Sequence, residues 1–486
     1  MPPSVFITLL SILLTFNTYL SSSKPLLLPL SHSLSKSNFN STHHLLKSTT
    51  THSTTRFRNH KQRHHHHVSL PLSPGTDYTL SFSLSSQTIS LYMDTGSDVV
   101  WLPCSPFSCI LCEGKSPSTI SNVKPLNISA AARKVSCKSR ACSAVHSRIP
   151  SSDLCAMAQC PLEDIEISDC AKFTCPSFYY AYGDGSFVAK LYRDTLEIPM
   201  SNPSLNMHNF TFGCAHEALG EPIGVAGFGR GALSLPAQLA TSSPHLGNQF
   251  SYCLVSHSFD SARVRGPSPL ILGRYSFDRK NKRIESQNDI IDFKYTPLLE
   301  NPTHPYFYLV GLEAVTIGKK RLISPLNLTK VDEKGNGGMV VDSGTTYTML
   351  PAEMYTPLVT EFSNRVEMFN RRAPHVEDRT GLSPCYYIDS VKNVPQLIFH
   401  FVGNSSVTMP RRNYFYEFLD GGDDGKSKRK VGCMMLMNGG DFPESDGPTG
   451  LLGNYQQQGF EVMYDLENKR VGFAERKCAA LWDTLG

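Results

Sequence analysis

Residues 91–100 read LYMDTGSDVV, and residues 337–350 read GGMVVDSGTTYTML. Each sets one carboxylate, Asp94 or Asp342, at the end of an apolar, strand-like run and follows it at once with a hydroxyl residue and a glycine. One D-[S/T]-G triplet says little. Average residue usage yields one in about a fifth of chains this long, and Asp and Gly both favour ordinary turns. The second triplet counts for more because a further signal repeats with it. Val225-Ala226-Gly227 follows Asp94 by 133 residues, and Leu451-Leu452-Gly453 follows Asp342 by 111. The same two signals in the same order, twice, point to two related β lobes, each with an Asp-bearing loop; the period is too long for a solenoid.

The surrounding sequence agrees. DYTLSFSLSSQTISLYMDTG, leading into Asp94, alternates apolar and polar residues as half-buried strands do. Strand-like runs recur at 210–214, 270–274, 306–318, 339–342, 396–402 and 460–466, separated by turns containing Gly and Pro. Helical patterns are few: 234–240 and 351–369, the latter with a Pro357 that should kink or divide it. The expectation is a mostly-β chain with minor helix.

Two Asp loops meeting at a lobe interface would bring two carboxylates together. Like charges that close cannot both ionise easily, so one proton is shared and the site holds a base and an acid at once. The ionised partner can take a proton from a water attacking a peptide carbonyl. The protonated one can support the oxyanion and later the leaving nitrogen. Gly96 and Gly344 would allow a tight turn, and the hydroxyls of Ser97 and Thr345 would donate to the outer carboxylate oxygens.

The chain has 486 residues, 40% of them apolar, enough for one large or two medium domains. Residues 1–23 carry no charged side chain and hold an apolar stretch from Val5 to Phe16, which reads as a secretory signal peptide even without a Lys or Arg near its start. No other stretch approaches transmembrane length, so no membrane partner is expected. All fourteen cysteines lie at or beyond Cys104, nine of them between Cys104 and Cys175. Behind a signal peptide they suggest disulfides; Cys109-Ile-Leu-Cys112 lacks the second half of a zinc site, so no metal is expected. Asn127, Asn209, Asn327 and Asn404, and also Asn40, begin N-x-S/T sequons. Residues 24–70 hold seven Lys/Arg, no acidic residue and nine of the seventeen His, including His64 to His67. That composition reads either as a disordered linker or as a basic prosegment cut from a mildly acidic mature chain. Residues 71–486 carry 39 basic against 42 acidic residues, which gives no reason to expect a nucleic-acid partner.

Taken together, Asp94-Thr95-Gly96-Ser97, Asp342-Ser343-Gly344-Thr345, the two apolar-apolar-Gly signals and Tyr182-Gly183-Asp184-Gly185-Ser186 resemble the pepsin-like aspartic proteases over about residues 75–486. FTFGCAHE (210–217), GVAGFGRGALSLPAQL (224–239), FSYCL (250–254) and the Cys-rich insertion after Cys104 resemble the plant atypical, nepenthesin-like group within them. The resemblance implies a bilobal fold with a cleft between two related β lobes, and no cofactor. It implies catalysis by Asp94 and Asp342, supported by Thr95, Gly96, Ser97, Ser343, Gly344 and Thr345. A hairpin flap would carry Tyr182, Gly183 and Asp184, with Trp101 as the hydrogen-bond partner or packing neighbour of Tyr182. The flap departs from the common pattern after Ser186, where this chain reads Phe187-Val188-Ala189-Lys190. The resemblance also implies disulfides Cys104–Cys109, Cys112–Cys214, Cys253–Cys478 and Cys385–Cys433. For the remaining six cysteines a nested set is favoured among fifteen connectivities: Cys137–Cys175, Cys142–Cys170 and Cys155–Cys160.

The resulting expectation divides the chain into a signal peptide (1–23), a prosegment (24–70), an N-terminal lobe with insertion and flap (71–290) and a C-terminal lobe (291–486). It describes a secreted, monomeric aspartic endopeptidase of apoplast, cell wall or vacuole that acts on peptide or protein substrates in acid. The alternative is a catalytically silent binder or inhibitor of cell-wall glycosidases on the same fold. A Ser or Cys hydrolase lacks its G-x-S-x-G elbow, and GFGRG (227–231) fails the dinucleotide fingerprint.

Overall fold

The computed structural model describes residues 26–32, 42–61, 78–112, 124–146, 149–161, 163–164, 169–181, 185–198, 205–220, 223–256, 267–273, 292–389, 393–421, 428–440 and 447–485. The alternating stretch before Asp94 forms the expected hairpin. Strands Tyr78–Leu84 and Gln87–Asp94 pair antiparallel from Thr79↔Tyr92 to Leu84↔Gln87. Ser85 and Ser86 both have positive φ, 52° and 62°, as a two-residue hairpin turn with the right twist requires. Neither is glycine, and the turn is tied down from outside: Ser85 N–H donates to the Thr195 carbonyl and its hydroxyl to Asp194.

The two repeated signals pair with each other inside each lobe. Strand Gln87–Asp94 runs parallel to Val225–Gly227, with Asp94 opposite Gly227. Strand Met339–Val341 runs parallel to Gly450–Leu452, with Val341 opposite Leu452. The glycines are needed for close approach. A Cβ on Gly227 would lie 2.6 Å from the Val99 nitrogen, and one on Gly453 2.5 Å from the Thr346 carbonyl oxygen.

One antiparallel sheet joins the lobes. C-terminal strands Lys294–Pro297, Arg470–Glu475 and Phe460–Asp465 continue through Gln249↔Asp465 to Cys253↔Glu461 into strands Gln249–Cys253 and Ser268–Leu272. A further strand extends it: Leu26–His32 pairs with Ser268–Leu272 from Leu26↔Leu272 to Leu30↔Ser268 and, at its other end, with Tyr78–Leu84 through Ser31↔Thr79 and His32↔Tyr78. The expected runs at 210–214, 270–274, 306–318, 339–342, 396–402 and 460–466 each fall on strands.

The disordered-linker reading of 24–70 fails in two places. Leu26, Leu28, Leu30 and His32 alternate into the core, and a helix spans Thr42–Lys61. A short apolar run, LLLPL, was averaged away by the polar composition around it. Leu45 and Leu46 of the helix pack against Tyr347, Val376, Tyr416 and Phe418. The 351–369 pattern also departs from expectation, since Ala352–Val366 is one helix running through Pro357. Its buried Met354, Leu358, Phe362 and Val366 hold one face on the core, which outweighs the single hydrogen bond Pro357 removes.

Seven disulfides join the fourteen cysteines. Cys253–Cys478 and Cys385–Cys433 are as expected. The expected Cys104–Cys109 and Cys112–Cys214 are instead Cys104–Cys214 and Cys109–Cys112. Strand Trp101–Ile110 runs parallel to Leu205–Leu219 with Leu102 opposite Cys214, which brings Cys104 within 5.5 Å of Cys214, Cα to Cα. The nested set Cys137–Cys175, Cys142–Cys170 and Cys155–Cys160 is also overturned. The bridge Ser136↔Thr174 puts Cys137 opposite Phe173 and Cys175 opposite Val135, so those two cysteines sit apart along the ladder. Short helices at Arg140–Val145 and Ser151–Met157 then carry Cys142 to Cys175 and Cys155 to Cys137, leaving Cys160 for Cys170.

Candidate active site

The chain leaves the strand at Asp94 and turns at once, and it does the same at Asp342. Both carboxylates are buried, 1% and 0% exposed. Each accepts a backbone N–H from the glycine two residues on: Gly96 N to Asp94 Oδ1 at 2.9 Å, and Gly344 N to Asp342 Oδ1 at 2.8 Å. The loops interlock through their hydroxyl residues. Thr95 Oγ1 donates to the Val341 carbonyl (2.9 Å) and accepts from Ser343 N (2.9 Å). In mirror fashion Ser343 Oγ donates to the Met93 carbonyl (3.2 Å) and accepts from Thr95 N (3.0 Å). This reciprocal grip brings the carboxylate of one lobe onto the glycine of the other. A Cβ built on Gly96 would lie 2.8 Å from Asp342 Oδ1 and 3.0 Å from Oδ2.

The outer hydroxyls differ. Thr345 Oγ1 donates to Asp342 Oδ2 at 2.6 Å, as expected. Ser97 does not repeat the bond on Asp94; its hydroxyl is buried without a hydrogen bond to any described residue. Ser97 lacks the branch methyl that restricts χ1 in Thr345, so its hydroxyl is free to turn away.

Tyr182, Gly183 and Asp184 lie outside the described residues. The hairpin that carries them is present as Phe178–Ala181 paired with Ser186–Ile198, from Phe178↔Ala189 to Ala181↔Ser186. The departure at Phe187 has a visible use. Trp101 is fully buried and stacks on Phe187, centroids 4.2 Å apart, and Tyr180 stacks on the same ring at 5.7 Å. Sequon residues Asn127, Asn209, Asn327 and Asn404 are all exposed. Asn40 and residues 1–23 lie outside the described residues, as do His64 to His67.

Several residues around the dyad were not singled out from sequence. Asn454 Nδ2 donates to the Ser343 carbonyl at 3.0 Å, and Gln457 Nε2 to the Asp342 carbonyl at 3.2 Å. Beneath them Tyr252 and Tyr464 are wholly buried. Burial is the main cause that pushes both phenols well above their ordinary range; for Tyr464 the charges of Asp342 and Asp94 act the same way. The signal was present as polar residues inside apolar contexts: Tyr252 in FSYCL and three consecutive glutamines after Tyr455. The Thr42–Lys61 helix lies close by. Thr49 and Tyr347 share a hydrogen bond of 2.8 Å, and Tyr347 N donates to Ser53 Oγ at 3.2 Å.

Two related β lobes that each lend an Asp-Thr/Ser-Gly loop to one interlocked, buried pair define the class of pepsin-like aspartic hydrolases. Family profiles described as "Xylanase inhibitor N-terminal" and "Xylanase inhibitor C-terminal" match residues 78–274 and 307–475. A probable aspartyl protease of Arabidopsis thaliana is 61% identical, covering 96% of this chain and 95% of that protein. The aspartic proteinase nepenthesin-2 of Nepenthes gracilis is 27% identical, over 83% and 78%. Among solved structures, soybean Basic 7S globulin superposes with a TM-score of 0.61 at 17% identity, over 94% of this chain and 99% of that one. The chain belongs to the plant aspartyl protease family. No helix among the described residues is long and apolar enough to cross a membrane.

Proposed function

We propose that this chain is a secreted aspartic endopeptidase, made as a precursor, in which Asp94 and Asp342 activate a water for attack on a peptide bond in acid. The observation that carries the reading is the Asp342 carboxylate seated on Gly96 by a symmetrical hydrogen-bonded grip. Two buried carboxylates so held share one proton, since ionising both costs too much. The ionised partner takes a proton from the water, and the protonated partner stabilises the tetrahedral oxyanion and then serves the leaving nitrogen. Neither aspartate is acylated. The proton requirement gives an acidic optimum. An extended peptide would bind in the cleft as an added strand beneath the Phe178–Ile198 hairpin. Within this reading residues 1–23 are the signal peptide and 24–70 the prosegment. Seven disulfides, with no free cysteine among the described residues, support passage through an oxidising compartment.

The described contacts of the proposed prosegment run through strand Leu26–His32 and through Leu45, Leu46, Thr49, Thr50 and Ser53 of its helix, with His43 on Asp420 at 3.0 Å, and so are mostly backbone pairing, apolar and hydroxylic. A second reading, a silent glycosidase-binding protein, is favoured by the description of the matching profiles. Against it stand two complete Asp-Thr/Ser-Gly loops.

The test is cleavage of a denatured protein at pH 3–5 by the wild type, Asp94→Asn and Asp342→Asn, with and without pepstatin. Loss of activity in both variants supports the dyad. A folded, processed wild type that cleaves nothing refutes it and favours the binding reading.

A further inference from the structure

Asp94 and Asp342 are held differently at their main-chain carbonyls. That of Asp94 accepts from a backbone donor, Phe228 N–H at 2.7 Å, whereas that of Asp342 accepts from a side chain, Gln457. One main-chain hold on the second loop therefore depends on the identity of a side chain.

The orientation of that side chain follows from its neighbours. Gln457 Nε2 has two protons and faces two carbonyls, Asp342 O at 3.2 Å and Leu452 O at 2.8 Å, which can only accept. The amide oxygen must then point the other way, toward Tyr252, so Tyr252 donates to Gln457 Oε1. With its only proton used, Tyr252 accepts from Tyr464 at 2.9 Å. Tyr464 has one proton and gives it to the nearer Tyr252 rather than to Thr95 Oγ1, which lies 3.5 Å away on the grip of the other loop and spends its own proton on the Val341 carbonyl. The result is a one-way chain, Tyr464 to Tyr252 to Gln457 to Asp342, closed off from water: the two tyrosines are 0% and Gln457 1% exposed. It starts beside the Asp94 loop and ends on the Asp342 loop. Its members come from both lobes, Tyr252 from strand Gln249–Cys253 and Tyr464 from strand Phe460–Asp465. Bonds in such a chain polarise one another in a low-dielectric interior, so the upstream phenols strengthen the final donor. Both phenols stay protonated throughout the acidic and neutral range, which keeps the direction fixed.

We propose that Gln457, oriented by Tyr252 and Tyr464, is a positioning residue that fixes the Asp342 loop against the Asp94 loop and so sets how the pair shares its proton. The proposal rests on the dyad reading above.

The test uses the full, processed chain and its Gln457→Leu, Tyr252→Phe and combined variants, assayed for kcat, KM and the pH profile of kcat/KM. We expect Gln457→Leu to lower kcat about tenfold, the loss of one transition-state hydrogen bond's worth of placement, with KM unchanged and a displaced acidic limb. Tyr252→Phe should lower kcat in the wild-type background and cost nothing further beside Gln457→Leu, because the relay acts only through the amide. Gln457→Glu keeps the volume and guards against failure to fold. It should be active only where its carboxyl is protonated, narrowing the profile on its basic side. Unchanged kcat and pH profile in Gln457→Leu, or losses that multiply in the double variant, would overturn the proposal while leaving the dyad standing. A wild type that cleaves nothing overturns both.

Discussion

The Asp342 carboxylate rests on the Cα of Gly96, a residue of the opposite loop 246 positions earlier in the sequence, with three carboxyl atoms 2.8–3.0 Å from where a Cβ would stand. The close approach is steric and needs no unusual backbone angle. Gly96→Ala must therefore displace the carboxylate or part the loops. We expect at least about a hundredfold loss of proteolysis, because small misplacements of reacting groups are costly. Gly421→Ala, where a Cβ meets nothing within 4 Å, should leave the rate and Tm unchanged.

Thr95 and Ser343 satisfy each other's main chain, so their contributions are shared. Thr95→Val leaves the buried Ser343 N–H unpaired, and Ser343→Ala does the same to Thr95 N–H. Each should cost about 1–3 kcal/mol in denaturant unfolding. The double variant should cost less than the sum, since both lose the same grip.

Strand Leu26–His32 links the sheet that joins the lobes to strand Tyr78–Leu84, pairing with both. Its three buried leucines are each worth about 1.5–3 kcal/mol. A chain beginning at residue 70 should unfold at lower denaturant than one beginning at residue 24. A precursor nicked between residues 33 and 41, with the strand left in place, should keep its stability. Equal midpoints for the two truncations would contradict the pairing.

Docking of the Thr42–Lys61 helix should weaken in acid. Burial, followed by the Arg379 guanidinium, holds the His43 imidazole below its ordinary value, with Asp420 opposing and His375 adding a smaller like-charge push. Well above pH 6.5 the imidazole is neutral whether docked or free, and docking is at full strength. As pH falls through about 6.5 the free helix binds a proton that the docked one resists, so docking weakens until the docked imidazole itself titrates. Amide protection factors across 42–53, taken against the intrinsic exchange rate at each pH, should fall between pH 7 and 5, and His43→Gln should remove most of that dependence.

Non-reducing peptide mapping should recover Cys104 with Cys214, Cys142 with Cys175 and Cys137 with Cys155. Recovery of a nested set in the insertion would mean that the Ser136↔Thr174 bridge is misplaced.

The duplication was legible because close approach demands glycine beside each Asp loop, and a glycine after two apolar residues survives as a signal. Gly227 and Gly453 are where that signal said they would be, and the strands around them follow from simple alternation. Five of the seven disulfides were not legible: which cysteine faces Cys214, for one, depends on a parallel register between strands about a hundred residues apart, which no local spacing encodes. The role of 26–32 was hidden by composition, since five apolar or proline residues vanish in an average over 24–70. Gln457 was hidden for the opposite reason. A buried glutamine reads as an exposed one until its partners are known, and Tyr252 and Tyr464 come from strands some two hundred residues apart.

The three-ring stack one residue pair below the hairpin's turn has an optical consequence. Trp101 is one of only two tryptophans, and the other, Trp482, belongs to the C-terminal helix Cys478–Leu485. In a Trp482→Phe background all indole emission would come from a ring lying flat against Phe187, which in turn touches Tyr180. The protein thus carries its own fluorophore against the hairpin, one residue pair from its turn. A change in its emission on adding a peptide would time the arrival of a ligand without any label.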